Sequence, residues 1–96
     1  MTTVRLTVRN PSGLHARPAA LFVRTAGRFR SKITVSDGAG GRGPVDAKSI
    51  LSVLTLGVSS GTEIEVAADG EDADAAIAAI REAVEAGLGE SLDGSA

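Results

Sequence analysis

The strongest constraint on the fold is a two-residue alternation of apolar and polar side chains that occurs three times in 96 residues. It occurs in "TVRLTV" (3–8), "SKITVS" (31–36) and "TEIEVAA" (62–68). Such alternation predicts strands with one buried and one polar face. Because parallel sheets are normally covered on both faces, a sheet with a polar face is expected to be antiparallel.

After each of these strands, the apolar residues recur at helical spacing. This spacing extends over residues 16–28, 48–56 and 73–88, with Asp72 as the expected N-cap of the last helix. Residues 45–47 are interpreted as a short edge strand. The order is then β-α-β-β-α-β-α, and the predicted fold is an α+β, open-faced two-layer sandwich whose helices cover one face of the sheet.

The length and the residue types limit the class of protein. Residues 1–96 are expected to form one domain, with 90–96 as a flexible tail. No cysteine is present, and no apolar segment is long enough for a signal peptide or a membrane span. We therefore expect a cytoplasmic monomer that does not insert into a membrane.

The charges are distributed unevenly along the chain. Residues 1–48 contain nine basic and two acidic residues, whereas residues 49–96 contain one basic and ten acidic residues. Either the two halves attract each other in the fold, or a positive face meets acidic partners or phosphate. Nucleic acid is a less suitable partner, because the basic residues are scattered and only two aromatic residues are present.

Neither a metal nor an organic cofactor is expected. The chain has one histidine and no cysteine, which is too few for a typical zinc site. Gly38, Gly40 and Gly43 have the spacing of a dinucleotide-binding loop, but Pro44 follows them where that motif needs a helix.

The single histidine, His15, lies where the first helix is predicted to begin. As its N-cap it would stand beside the free backbone N–H groups of Ala16 and Arg17, which form an anion site and favour a neutral ring. The guanidinium of Arg17 suits phosphate oxygens. Because Arg17 precedes Pro18, we expect an irregular helix start there. The pattern indicates a histidine that accepts a phosphoryl group. The alternative is a non-catalytic α/β binding module in which His15 only caps the helix.

The second predicted helix, within "AKSILSVLTLG" (47–57), is too apolar for an ordinary surface helix. Val53 and Leu56 are assigned to the core. Ile50, Leu51 and Leu54 are expected to form an exposed docking patch, unless loops or the first helix cover them.

Other residues are expected to extend that patch. Ala20, Leu21 and Arg24 are placed on the outward side of the first helix, and Arg24 and Lys48 would form a positive rim that attracts acidic partners. Ser49 fits a capping serine, and a phosphate on it would add about two negative charges to the patch.

Three segments together resemble the HPr family, the histidine-containing phosphocarriers of the bacterial phosphoenolpyruvate:sugar phosphotransferase system (PTS). They are "GLHARPAALFV" (13–23), "AKSILSVLTLG" (47–57) and "GTEIEVAADGEDADAAI" (61–77). The resemblance extends from about residue 3 to residue 89. It implies four antiparallel strands with three helices on one face.

The resemblance also implies roles for individual residues. His15 matches the histidine phosphorylated at Nδ1, and Arg17 matches the arginine that supports the phosphoryl group. Enzyme I would be the donor and sugar-specific IIA domains the acceptors, so the chain is a carrier rather than a stand-alone enzyme. Ser49 matches the serine modified by an HPr serine kinase/phosphorylase in some members. A regulatory relative, linked to nitrogen signalling or to dihydroxyacetone kinase, stays open.

Two features depart from the family pattern. Ser12 stands where some members have asparagine, which is expected to alter how the loop holds the imidazole. The turn over 37–44 is a few residues longer than usual.

Overall fold

A computed structural model describes residues 1–38 and 41–90 of the chain. Its elements follow the predicted order: β1 (Thr2–Thr7), α1 (Ala16–Gly27), β2 (Lys32–Asp37), β3 (Val45–Asp46), α2 (Ile50–Leu54), β4 (Glu63–Asp69) and α3 (Ala73–Glu85). None of the helices in this part of the chain is both long and apolar enough to span a bilayer.

The four strands form one antiparallel sheet in the order β1-β4-β2-β3. Val66 on β4 pairs with Val4 on β1 and with Val35 on β2. Because side chains alternate between the faces of a strand, this register places the apolar positions of three strands on the same face. The predicted antiparallel sheet with one apolar face is confirmed.

The helices cover the apolar face and leave the other face polar. α1 packs against α3, and α3 also contacts β1 and β4. Phe22 of α1 is the largest side chain that is completely buried. On the open face, Arg5 of β1 pairs with Glu63 and Glu65 of β4, at 3.0 and 3.3 Å. The sandwich predicted from the sequence is therefore the observed fold.

The third helix ends earlier than its apolar stripe predicted. α3 stops at Glu85, and Leu88 is fully buried from a turn in which its own φ is 50°. The N–H of Leu88 donates to the carbonyl of Ala83 at 3.0 Å, and that of Gly87 donates to Val84 at 3.1 Å. These two bonds form a Schellman motif, in which left-handed residues end the helix while the next apolar residue still reaches the core.

Asp72 occupies the predicted N-cap position of α3 but does not cap it. Its carboxylate makes no bond to that helix and accepts from the Ser31 hydroxyl and from the backbone N–H groups of Arg30 (2.8 Å) and Ser31 (2.9 Å). The Ser31 hydroxyl, followed by the Arg30 N–H, holds the pKa of Asp72 below its ordinary value. Asp72 therefore joins the turn after α1 to the start of α3.

Candidate functional site

His15 lies at the position predicted from the sequence. It is the N-cap of α1, with φ −130° and ψ 157°, and its side chain is exposed. The ring makes no hydrogen bond to the helix it precedes. Its nitrogens are therefore open to a reacting group from solvent or from a partner protein.

The backbone beside the ring has hydrogen-bond donors to offer. Ala16 and Arg17 are the first residues of α1, where backbone N–H groups have no acceptor inside the helix. Among the described residues, no other acceptor is bonded to these two amides, and the first turn of α1 carries no acidic side chain. The positive end of the helix is therefore free to bind an anion.

The irregular helix start lies one residue before the predicted position. Ala16, rather than Arg17, has the unusual conformation, with φ 52°. On one side of it, Leu14 is buried and its N–H donates to the Val58 carbonyl at 3.0 Å; on the other side, Pro18 is buried. Ala16 absorbs the change of chain direction between these two anchored residues.

Gly13 allows the loop before His15 to pass close to a neighbouring segment. Its φ is 60°, and a Cβ atom there would lie 2.7 Å from Cα of Ser59 and closer still to the Val58 carbonyl oxygen. No other residue type fits this position without displacing backbone. The loop that presents His15 is thus held against residues 58–59.

Glu90 contacts this loop, which the sequence did not predict. Its carboxylate accepts from the Asn10 amide (3.0 Å), the Ser12 N–H (3.0 Å) and the Ser12 hydroxyl (2.8 Å). The Asn10 amide, then the two Ser12 donors, hold the pKa of Glu90 below its ordinary value, and the charge of Arg17 acts in the same direction. Glu90, the first residue of the tail expected over 90–96, is bound to this loop, and residues 91–96 lie outside the described residues. No local sequence signal marks a contact between residues 78 positions apart.

The second helix exposes the apolar side chains predicted to form a patch. The exposed fractions are 38% for Ile50, 74% for Leu51 and 37% for Leu54, whereas Val53 and Leu56 are buried. Since α2 packs against α1, this patch is close to that helix. We define the α2 patch as Ile50, Leu51 and Leu54.

The rim of the α2 patch differs in part from the prediction. Ala20 and Arg24 are exposed on α1, as expected. Leu21, however, is half-buried and packs against the core. Lys48 is also half-buried, because its Nζ donates to the Phe29 carbonyl at 2.7 Å. Arg24 is therefore the more accessible of the two cations assigned to the rim.

Ser49 caps α2. Its hydroxyl oxygen accepts from the Ser52 N–H at 3.3 Å, and its own N–H donates to the Asp46 carbonyl at 3.2 Å. The cap explains why α2 begins at Ile50 rather than at Lys48. The side chain is half-buried and adjoins the α2 patch.

Nothing in the described part of the chain forms a metal centre. Within residues 1–38 and 41–90, no three His, Cys, Asp or Glu side chains are grouped so that they could hold an ion together. The donors beside His15 are the backbone N–H groups of Ala16 and Arg17, which bind anions rather than cations.

Comparison with known proteins decides the family. The sequence profile described as "PTS HPr component phosphorylation site" matches residues 2–86. The chain belongs to the PTS HPr family. The phosphocarrier protein HPr of Streptomyces coelicolor is 42% identical over 90 residues, which cover 94% of this chain and 95% of that protein.

Solved HPr structures have the same fold. The crystal structure of HPr-C-His from Thermoanaerobacter tengcongensis superimposes with a TM-score of 0.87 at 43% identity, covering 95% of this chain and 99% of that one. HPr from Bacillus anthracis gives a TM-score of 0.80 at 37% identity, covering 86% of this chain and 95% of that one. The open-faced sandwich is therefore the HPr fold.

The family also occurs within longer proteins. The multiphosphoryl transfer protein of Salmonella typhimurium is 46% identical over 83 residues, or 86% of this chain, but the match covers only 22% of that protein. The chain thus spans about a fifth of the length of such relatives.

Proposed function

We propose that the chain is a phosphocarrier of the PTS, which accepts a phosphoryl group on Nδ1 of His15 from phosphorylated enzyme I and passes it to sugar-specific IIA domains. The observation that carries this proposal is the exposed ring at the N-cap of α1, beside two amides free to bind an anion. Membership of the HPr family supports it. Because phosphoenolpyruvate, which charges enzyme I, is an intracellular metabolite, the exchange is assigned to the cytoplasm.

The proposed transfer needs little chemistry from the protein itself. The lone pair of the unprotonated Nδ1 forms a bond to phosphorus while the bond between phosphorus and the donor group breaks, and the donor keeps that electron pair. The amides of Ala16 and Arg17 and the guanidinium of Arg17 stabilise the charge on the phosphoryl oxygens. The same steps in reverse release the group to an acceptor.

The α2 patch is the proposed docking surface for enzyme I and the IIA domains. Three apolar side chains exposed on a short helix are more typical of an interface than of free surface. Arg24 lies on the neighbouring helix, where its charge would speed the approach of acidic partners.

Phosphorylation of His15 is tested by incubating the protein with phosphoenolpyruvate and enzyme I and then measuring its intact mass. We expect a gain of one phosphoryl group that is lost in acid, as is typical of a phosphohistidine. The gain should be absent from His15→Ala and present in Ser49→Ala. A mass gain that survives in His15→Ala would exclude His15 as the acceptor.

Arg17→Ala should lower the rate of this transfer by about 100-fold, the loss typical of removing one preorganised donor that stabilises a transition state. Arg28→Ala, which removes an exposed arginine just after α1, is the matched control and should keep the wild-type rate. The measurement is the initial rate of phosphohistidine formation. Equal rates in the two variants would contradict the role assigned to Arg17.

Ser49 is proposed as a regulatory phosphorylation site. A phosphate there would lie at the start of α2, so it need not disrupt the helix, but it would place about two negative charges next to the α2 patch. An HPr kinase with ATP should modify the wild type and not Ser49→Ala. Modification of Ser49→Ala would assign the site to another residue.

Substituted side chains can separate the charge at Ser49 from its capping role. Ser49→Asp and Ser49→Asn both keep a good N-cap, and only the aspartate adds charge. We expect slower transfer from enzyme I with Ser49→Asp than with Ser49→Asn, at similar thermal stability. Equal rates would show that charge at this position does not oppose docking.

A further inference from the structure

We propose that Glu90 is a positioning residue for phosphoryl transfer: by binding Ser12 and Asn10, it fixes the loop that presents His15. This inference rests on the proposed phosphocarrier function and assigns to that site a residue from the opposite end of the described chain.

The contact is extensive for a single side chain. One carboxylate oxygen of Glu90 accepts from both the Asn10 amide and the Ser12 N–H, each at 3.0 Å, and the other accepts from the Ser12 hydroxyl at 2.8 Å. Hydrogen bonds in which one partner is ionised are stronger than those between neutral groups. All three donors belong to the loop over residues 10–12, so Glu90 restrains backbone and side chain together.

Asn10 extends the restraint to the residue before Leu14. Its side-chain nitrogen donates to the Gly13 carbonyl at 2.9 Å as well as to Glu90, and its backbone carbonyl accepts from the Gly13 N–H at 3.1 Å. Both partners of that amide are oxygen acceptors, which identifies the atom facing them as nitrogen. Asn10 is completely buried, so this part of the loop has little freedom.

The restrained loop leads directly into the reacting residue. Leu14 is buried and bonded to Val58, and His15 follows it. The loop is therefore held by Glu90 at Ser12 and by Val58 at Leu14, just before the exposed ring. Because catalysis here depends on position, looseness in this segment should reduce the rate at which the ring reaches an in-line geometry.

Ser12 supplies two of the three hydrogen bonds that Glu90 accepts. Its hydroxyl points to Glu90 and donates to it, so the hydroxyl is engaged by the far end of the described chain. Glu90 itself lies beyond α3 and is only half-buried. Leu88, two residues earlier, is fully buried in the core independently of Glu90. Loss of the Glu90 carboxylate should therefore loosen the loop without unfolding the protein.

The test compares Glu90→Gln and Ser12→Ala with wild type as substrates of enzyme I. Since a displacement of 1 Å can cost about 100-fold in rate, partial loosening should lower kcat by about 10-fold. KM should change little, because the α2 patch is untouched. Ser12→Thr keeps the hydroxyl and should retain most of the rate, which a purely structural defect would not produce. Hydrogen exchange should be faster at the Ser12 amide in Glu90→Ala.

Glu85→Gln is the matched control, because it removes an equal charge from the end of α3 that pairs with Arg81 rather than with the loop. If Glu90→Gln and Glu85→Gln have the same kcat, or if exchange at Ser12 is unchanged in Glu90→Ala, the positioning role is excluded. If wild type gains no phosphoryl group, the phosphocarrier proposal fails and this inference fails with it. If wild type is phosphorylated, and Glu90→Gln and Ser12→Ala are slow while Glu85→Gln is not, both stand.

Discussion

At the scale of single residues, the proposed site depends on two unusual backbone conformations. Gly13 and Ala16 both have positive φ, at 60° and 52°, on either side of the buried Leu14 and the exposed His15. Such conformations cost free energy in residues other than glycine, and they persist only where the surrounding contacts determine them. Here those contacts include the Leu14–Val58 bond and the packing of Gly13 against residues 58–59.

Gly13→Ala should therefore destabilise the protein by at least about 1–3 kcal/mol from the backbone conformation alone, with a further cost from the close approach to Ser59. Gly27→Ala is the matched control. Gly27 lies in α1 with open space around it, and alanine should stabilise the helix by up to about 1 kcal/mol. Urea unfolding measures both values, and equal stabilities would contradict the strain assigned to Gly13.

The residues at the site differ in how far the sequence could reveal them. The N-cap position of His15 was predictable, because Gly13 lies two residues before it, Pro18 lies three residues after it, and helical periodicity begins there. The positive φ of Ala16 was not, since it arises from anchors at Leu14 and Pro18 that only the fold brings into position. The role of Glu90 as a loop partner was not predictable either, because it joins distant parts of the chain.

At the scale of the elements, α2 divides its side chains between core and solvent. Val53 is completely buried, whereas Leu51 is 74% exposed. A short helix with apolar residues on both sides has one side that stabilises the fold and another that is free for a partner. Substitutions on the two sides should therefore separate stability from docking.

Leu51→Ala should change the free energy of unfolding by less than about 0.5 kcal/mol, as is typical of exposed positions, while it raises the KM with enzyme I. Val53→Ala should lower stability by about 2 kcal/mol or more, because it removes buried methyl groups and leaves a cavity. Chemical denaturation and steady-state transfer kinetics distinguish the two. A large stability loss in Leu51→Ala would show that the α2 patch is structural.

The bond between Asp72 and the α1–β2 turn should make stability depend on pH. The pKa of Asp72 is lowered in the fold, so its contribution is complete above the ordinary aspartate pKa, near pH 4, and is lost as the pH falls through the lowered folded value. Asp72→Asn should be less stable than wild type at pH 7, and the difference should shrink as the pH falls towards 2.

The adjacent Glu71→Gln serves as the control for Asp72, since Glu71 is exposed. It should match wild type throughout the pH range. Thermal unfolding at a series of pH values measures all three proteins. A difference between Asp72→Asn and wild type that stays constant down to pH 2 would contradict the predicted linkage.

The types and order of the elements were predictable because each segment has a clear two-residue or helical period, whereas some of their ends were not. Leu88 continues the apolar stripe of α3, so periodicity predicted a helix that reaches it. The helix instead ends at Glu85, and Gly87 and Leu88 adopt left-handed conformations. Asp72 has the residue type of a cap, but its carboxylate is bound by the neighbouring turn. In both cases, tertiary contacts override a local signal.

At the scale of the whole molecule, the uneven charge of the sequence is partly neutralised by contacts between its halves. Arg5, from the basic half, pairs with Glu63 and Glu65 from the acidic half. These side chains are largely exposed, and exposed pairs typically contribute no more than about 1 kcal/mol each. Stability must therefore come mainly from the apolar core between the sheet and the helices.

Phe22→Ala should show this dependence, because Phe22 is the largest completely buried side chain. We expect a loss of about 3–5 kcal/mol, a large part of the stability of a small protein. Phe29→Ala, at a half-buried position, should cost less. Guanidinium unfolding measures both losses, and equal values would indicate that the core is not centred on α1.

The hydrogen bonds of Glu90 make the carboxyl-terminal part of the chain a convenient observation point. The chain has no cysteine, tryptophan or tyrosine, so one engineered cysteine would be the sole thiol available to a fluorophore or spin label. A label attached immediately after Glu90 would be next in sequence to the residue whose carboxylate accepts hydrogen bonds from Ser12. A change in its signal during incubation with phosphoenolpyruvate and enzyme I would show that this contact responds to the proposed phosphorylation of His15.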